Sequence, residues 1–116
     1  MDLTVPDADP IKEFYRAVVG WTSTPVDMGE YSDFNMNAPE SGETIAGICH
    51  ARGGNKELPA QWLFYVRVKD VDQSCRICLE RGGEVILEPK DMGEYGRYCV
   101  IRDPAGAAFA LITPPA

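Results

Sequence analysis

Four cysteines, at positions 49, 75, 78 and 99, and a single histidine, His50, are the residues of this chain best suited to nucleophilic or metal chemistry. Cys75 and Cys78 form a C-x-x-C pair, which suits a redox dithiol when a helix N-terminus or a cation lowers one thiol pKa. Here the pair lies inside a helical pattern, three residues apart on one face. A structural zinc site would want a second tightly spaced pair, and Cys49 and Cys99 are isolated. The four therefore read as reduced thiols in a core. Cys49 and His50 adjoin in sequence, but neighbouring strand residues leave on opposite faces, so they do not meet as nucleophile and base. His50 is expected as a solvated residue at a strand end.

The elements that position these groups follow from a repeat. Asp27-Met28-Gly29-Glu30-Tyr31 recurs letter for letter as Asp91-Met92-Gly93-Glu94-Tyr95, an offset of 64. Upstream of each copy is a helix-like segment preceded by an aspartate, Asp7 and Asp70, offset by 63. A near-constant offset over such a distance marks a repeated unit, and each unit reads strand, helix, three strands. Module 1 is assigned to residues 1–50, a Gly- and Pro-bearing linker to 51–60, and module 2 to 61–116, together making one domain.

In the first module a strand at 3–5 leads into a helix whose inner face is Ile11, Phe14, Tyr15, Val18 and Val19, stopped by Gly20. Strands follow at 21–26, 31–36 and 44–49. In the second, a strand at 62–68 precedes a helix capped by Asp70, with Val71, Cys75, Cys78 and Leu79 facing inward. Gly82-Gly83 ends that helix, and strands follow at 84–87, 96–102 and 107–113. The turn Asp103-Pro104-Ala105-Gly106 joins the last two.

Composition narrows the function classes. The 116 residues carry 18 acids against 11 lysines and arginines, a net charge of −7, which argues against binding a phosphate backbone. With 45% hydrophobic residues the chain can build a core. No apolar run is long enough to span a membrane, and the N-terminus lacks a basic-then-apolar leader. A cytoplasmic protein without nucleic-acid or membrane partners is expected.

Phe14-Tyr15 with Gly20-Trp21, Ala46-Gly47-Ile48, Asp70-Val71-Asp72, Gly82-Gly83 and Asp103-Pro104-x-Gly106 occur in an order that resembles the vicinal oxygen chelate superfamily. That superfamily includes glyoxalase I, bleomycin-resistance proteins, fosfomycin-resistance enzymes and extradiol dioxygenases. The resemblance covers nearly the whole chain. It implies an α+β fold of two βαβββ modules pairing into a curled, eight-stranded mixed sheet around a central cavity. It also implies metal ligands, typically histidine, glutamine or glutamate, on the first and last strands of each module. The positions carried over are Leu63 and Ala110 in module 2 and Gly47 in module 1, with Asp2 or Thr4 as the nearest first-strand candidates. Leucine, alanine and glycine supply no donor, so no catalytic metal and no cofactor are expected.

Strand alternation sorts the remaining side chains. Phe64, Val66, Val68, Cys99 and Ile101 are assigned to the helix side. The face towards the cavity is assigned Phe34, Met36, Cys49, Leu63, Tyr65, Arg67, Tyr98, Val100, Arg102 and Ala110. Phe34 and Met36 enter that set by the offset of 64 from Tyr98 and Val100. Apolar walls with a few orienting polar groups suit a small molecule: Tyr65, Tyr98 and Phe34 to stack on a planar ligand, Arg67 or Arg102 to meet an anionic group. The plainer alternative is that the aromatic residues fill core and the arginines pair with surface acids.

The reading is a metal-independent small-molecule-binding protein, with sequestration or resistance as one form. The alternative is a divalent-metal-dependent lyase or isomerase related to glyoxalase I, and a third reading is an interaction module. A homodimer is expected because a short first strand at a sheet edge invites pairing.

Overall fold

The computed structural model describes residues 1–115. The chain divides into two compact units, Met1–Trp62 and Leu63–Ala116. The boundary falls at Trp62, so residues 51–60 travel with the first unit instead of bridging two. The first unit runs β1 (Asp2–Val5), α1 (Ala8–Val19), β2 (Thr22–Asp27), β3 (Ser32–Asn37) and β4 (Thr44–His50). After β5 (Trp62–Leu63), the second runs β6 (Tyr65–Arg67), α2 (Val71–Glu80), β7 (Glu84–Asp91), β8 (Arg97–Arg102) and β9 (Ala108–Thr113). Each unit is thus βαβββ, as the repeat predicts.

Hydrogen bonding gives two mixed sheets, ordered β2-β3-β4-β1-β5 and β6-β9-β8-β7. In both, the strand before the helix pairs parallel with the last strand of its unit, β1 with β4 and β6 with β9, while β2–β3, β3–β4, β7–β8 and β8–β9 are antiparallel. Pro25 in β2 and Pro89 in β7 both lie on edge strands, where a missing backbone donor is tolerated. β1 lies between β4 and β5. The expected open first strand does not exist, and the argument for a homodimer through it loses its premise.

Helix ends follow local chemistry. Asp7 caps α1, its Oδ1 accepting from the Asp9 backbone N–H at 3.3 Å, and Gly20, at φ 88°, closes the other end by donating to the Arg16 carbonyl. Asp70 caps α2, accepting from the backbone N–H groups of Asp72 and Gln73 at 3.0 and 3.3 Å. The first core consists of Leu3, Val5, Ala8, Phe34, Met36, Ala46 and Ile48, with Ile11, Tyr15, Trp21 and Trp62 packed on it. Tyr15 stacks on Trp21 at 5.8 Å and accepts a 2.9 Å hydrogen bond from Trp62 Nε1. That bond accounts for Trp62 ending the first unit. The second core is Val71, Cys75, Cys99, Ile101 and Leu111, with Val68, Cys78, Val85 and Phe109 against it.

Three expectations need correction. The buried stripe of α1 is Ala8, Ile11 and Tyr15, while Phe14, Val18 and Val19 are exposed. Periodicity alone does not choose between adjacent apolar stripes 100° apart. Leu79 on α2 is exposed for the same reason. The strand at 62–68 is two pieces, β5 and β6, broken at Phe64. Val68 alone of its expected helix face packs on the core, and Phe64 and Val66 are exposed.

The third correction concerns the repeat. In the first hairpin Asp27 pairs with Ser32 and Met28 N–H donates to the Tyr31 carbonyl at 2.9 Å. In the second, Asp91 pairs with Arg97 and Met92 N–H donates to the Gly96 carbonyl at 2.6 Å. The second turn holds one residue more, Gly96. Across β3 and β8 the units correspond at an offset of 65, so Phe34 and Met36 match Cys99 and Ile101. A slip of one residue exchanges the two faces of a strand. Phe34 and Met36 therefore lie in the core beneath α1, with the Lys12 ammonium 4.8 Å from the Phe34 ring, and not on the face turned away from the helix.

Candidate functional site

The face of each sheet that turns away from its helix is built from rows of register-matched residues. In the first unit Asn35, Gly47 and Asp2 form one row across β3, β4 and β1. Thr4 is paired with Cys49 in the next. In the second unit the matching rows are Val100, Ala110 and Tyr65, then Tyr98, Ile112 and Arg67. Gly47 matches Ala110 and Cys49 matches Ile112, as the sequence predicts.

The first unit's rows are polar. Asp2 lies across Gly47, where an added Cβ would stand 2.6 Å from its Oδ1, so glycine leaves the space the carboxylate uses. A cavity of about 250 Å³ opens there, lined by Met1, Asp2, Asn35, Thr44, Ile45, Ala46 and Gly47. Cys49 is half-buried beside Asp33, and burial, with the Asp2 and Asp33 carboxylates, pushes its thiol up to about 12. Such a thiol holds almost no thiolate at neutral pH and is no nucleophile.

The second unit's rows are aromatic and apolar. Tyr65 and Tyr98 stack with ring centroids 6.3 Å apart and planes 20° from parallel. Tyr98, Val100 and Ala110 are buried, while Tyr65 and Arg67 are exposed. Lys90 Nζ lies 5.8 Å from the Tyr98 ring. Arg102, on the rim, is 3.8 Å from Glu84 Oε2 and is thus partly committed to an ion pair. Leu63 is buried in β5, separated from Tyr65 and Arg67 by the break at Phe64, so strand alternation does not carry it onto their face.

A resident divalent metal does not fit these rows. In the row through Gly47 the first unit offers one carboxylate and one amide, Asp2 and Asn35. In the row through Ala110 the second offers one phenol, Tyr65, beside alanine and valine. The next rows add a hydroxyl and a protonated thiol, Thr4 and Cys49, in the first unit and a second phenol, Tyr98, in the second. A zinc-class ion needs about three imidazole, carboxylate or thiolate donors, and neither set supplies them.

His50 stands elsewhere. It is on the helix side of β4, opposite in phase to Cys49, as alternation requires. It is not solvated: only 5% of its surface is exposed. Asp33 Oδ1 accepts from its backbone N–H at 2.9 Å and lies 3.3 Å from its Nδ1, while Tyr31 meets the ring edge-on at 5.2 Å. Sequence reasoning missed this because the partners come from two segments distant in sequence, Asp7 and Asp9 at the start of α1 and Asp33 in β3.

A model of the Glyoxalase/Bleomycin resistance protein/Dioxygenase superfamily matches residues 1–111. The chain belongs to this superfamily. Among superfamily relatives, the anthracycline biosynthesis protein DnrV of Streptomyces peucetius is 34% identical over 125 residues, covering 95% of this chain and 44% of that protein. The putative glyoxylase CFP32 of Mycobacterium tuberculosis is 34% identical over 116 residues, covering 96% of this chain and 43% of that protein. The chain thus spans less than half the length of these relatives. Among solved structures, methylmalonyl-CoA epimerase from Mycobacterium tuberculosis aligns with a TM-score of 0.56 at 21% identity, covering 99% of this chain and 85% of that one. The superfamily fold is the content of that last likeness. No helix among the described residues is long and apolar enough to cross a membrane.

Proposed function

We propose that this superfamily member binds a planar aromatic small molecule without a metal, on the tyrosine-bearing face of its second unit, and serves in ligand sequestration or handling. The observation that carries the reading is the Tyr65–Tyr98 stack, one ring buried and one exposed, with Arg67 in the same row as Tyr98. The buried ring fixes the plane of the pair, and the exposed one extends it to a ligand. Stacked aromatic contacts add about 0.5–1.5 kcal/mol beyond area burial. Arg67 offers a planar donor to an acidic substituent. The small Ala110 beside Tyr65 keeps the floor low. The name of the DnrV relative, an anthracycline biosynthesis protein, supports a planar polycyclic ligand class.

The test is a fluorescence titration of the full chain with an anthracycline and with neutral and anionic planar probes. Saturable binding that survives excess chelator is expected. Tyr65→Ala should weaken every probe by about 3- to 10-fold, the stacking energy expressed as a ratio. Arg67→Ala should weaken only the anionic ones. No saturable binding across the panel, or full affinity in Tyr65→Ala, would refute the reading.

A further inference from the structure

We propose that His50, Asp7 and Asp9 form a binding site for a divalent cation of the zinc class, on the helix side of the first unit. His50 Nε2 lies 3.6 Å from Asp7 Oδ1 and 3.4 Å from Asp9 Oδ2. The three donor atoms lie within 4.8 Å of one another. With metal–ligand bonds of about 2.0–2.2 Å, adjacent donors of a tetrahedral shell stand about 3.4 Å apart. The two distances from the imidazole match that edge, and water completes the shell on the side where the aspartates are exposed. One imidazole and two carboxylates suit zinc, nickel or cobalt better than calcium, which prefers six or more oxygens.

The second side of the ring supports this. Asp33 Oδ1, 3.3 Å from Nδ1, is held in place by the His50 backbone N–H, and its side chain is nearly buried. A carboxylate behind a histidine fixes Nδ1 as the donor and turns the Nε2 lone pair outward, the arrangement that supports metal-ligating histidines. Nε2 then faces two further acceptors. Three electron-rich atoms converging on one point call for a cation between them. The partial positive charge of the α1 N-terminus, about half an elementary charge, does not balance two carboxylates.

The two units solve the same electrostatic problem differently. In the second, Asp72 in the first turn of α2 receives a bidentate guanidinium, Arg97 Nε to Oδ2 at 2.7 Å and Nη2 to Oδ1 at 2.9 Å. Thr113, in the place of His50, accepts from the Val71 backbone N–H at 3.1 Å. The first unit carries Ser32 where the second has Arg97. Among the described residues, Asp7 and Asp9 face His50 in place of an arginine, and a neutral imidazole brings no charge to offset theirs. A bound cation would take the part of the arginine and tie the start of α1 to the end of β4.

The test uses the metal-stripped full chain titrated with zinc by calorimetry, and with cobalt for its ligand-field absorption. One equivalent of zinc is expected, with tetrahedral cobalt absorption, a raised melting temperature and a shift of the His50 Nε2 resonance. Asp7→Asn and Asp9→Asn, which keep helix-starting chemistry, should each weaken binding at least about tenfold, and more together. His50→Gln should abolish it, and Asp2→Asn should leave it unchanged. If His50→Gln does not fold, the Asp7→Asn/Asp9→Asn pair carries the test alone. Absence of binding at millimolar zinc, binding indifferent to Asp7 and Asp9, or binding lost with Asp2 would each overturn the proposal. The last would also place a metal on the face described above as unfit for one.

Discussion

Gly96, the extra residue of the second turn, is the position at which a single methyl group should do the most damage outside the two cores. Its backbone sits at φ 103° and ψ −149°, a region used almost only by glycine, where another residue costs on the order of 1–3 kcal/mol. Space is closed as well. A Cβ at 96 would run into the Thr113 carbonyl oxygen and stand 3.0 Å from Pro114 Cα. These are backbone atoms, which cannot rotate away, so the end of β9 must shift. Forcing such a shift costs about 1–3 kcal/mol more. Gly96→Ala should therefore destabilise the protein by about 4 kcal/mol. Gly93→Ala, three residues earlier, is the control. Gly93 also has positive φ, 59°, but an added Cβ meets nothing within 4 Å, so only the left-handed penalty of about 1 kcal/mol applies.

Urea denaturation measures the difference. With a slope of about 2 kcal/mol/M for a domain of this size, the two midpoints should differ by about 1.5 M. The slopes should agree, because neither substitution alters the surface exposed on unfolding. A Gly96→Ala variant within about 1 kcal/mol of Gly93→Ala would refute the reasoning, since it would mean that the strand end yields without cost. Tyr95 N–H donates to the Met92 carbonyl in the same turn, so local amide protection around residue 95 should fall in Gly96→Ala alone.

Two further outcomes follow from charge and burial. Cys49, raised from 9.0 to about 12, should carboxymethylate about a thousandfold more slowly in the native than in the denatured protein at pH 8. Cys75 and Cys99, their sulfurs 3.2 Å apart and both pushed up by burial, should be protected likewise; mass spectrometry after iodoacetamide reads this, and fast native labelling would contradict the packing. The Arg97 guanidinium holds the Asp72 carboxyl below its ordinary 3.8, and the pair's stabilisation is therefore present above that pH and fades as pH falls through the folded value. The melting-temperature gap between the native chain and Arg97→Met should close on going from pH 7 towards pH 2, and a gap independent of pH would refute the assignment.

The fold was legible because its signals are local. Asp7 and Asp70 cap their helices, Gly20 and Gly82 follow the helix ends with positive φ, and alternation in β8 put Cys99 and Ile101 on the helix side. The errors arose where one residue decides a non-local arrangement. A repeat that matches five letters in a row conceals an insertion immediately after them, and Gly96 reversed the placing of Phe34 and Met36. His50 was legible as out of phase with Cys49, but not as buried. Its burial depends on Asp33, Asp7 and Asp9 arriving from a strand and a helix start elsewhere in the sequence. Tyr65, Arg67 and Tyr98 share one face as expected, because that placing needs only the period of two.

The same comparison bears on how duplication and chemistry relate here. The backbone frames of the two units agree, row for row, yet the matched rows read Asn35-Gly47-Asp2 in one and Val100-Ala110-Tyr65 in the other. At the helix start, Asp9 with His50 stands where the second unit has Asp72 with Arg97. A strand's backbone hydrogen bonds do not depend on which side chains its faces carry, so each face was free to change while the ladder stayed fixed. The polar half carries the carboxylates, the amide and the imidazole, groups that attract protons and cations. The aromatic half carries apolar area with one exposed arginine, which suits a flat organic ligand. Exchanging the faces tests whether the frame is neutral to this division. An Asp2→Tyr variant would place a ring opposite Gly47, where no Cβ competes for the space. It should fold with a melting temperature close to the parent, since the buried core beneath α1 is untouched. A loss of cooperative unfolding in that variant would show that the polar row is structural, and that the division of chemistry between the units is imposed by stability and not by ligands.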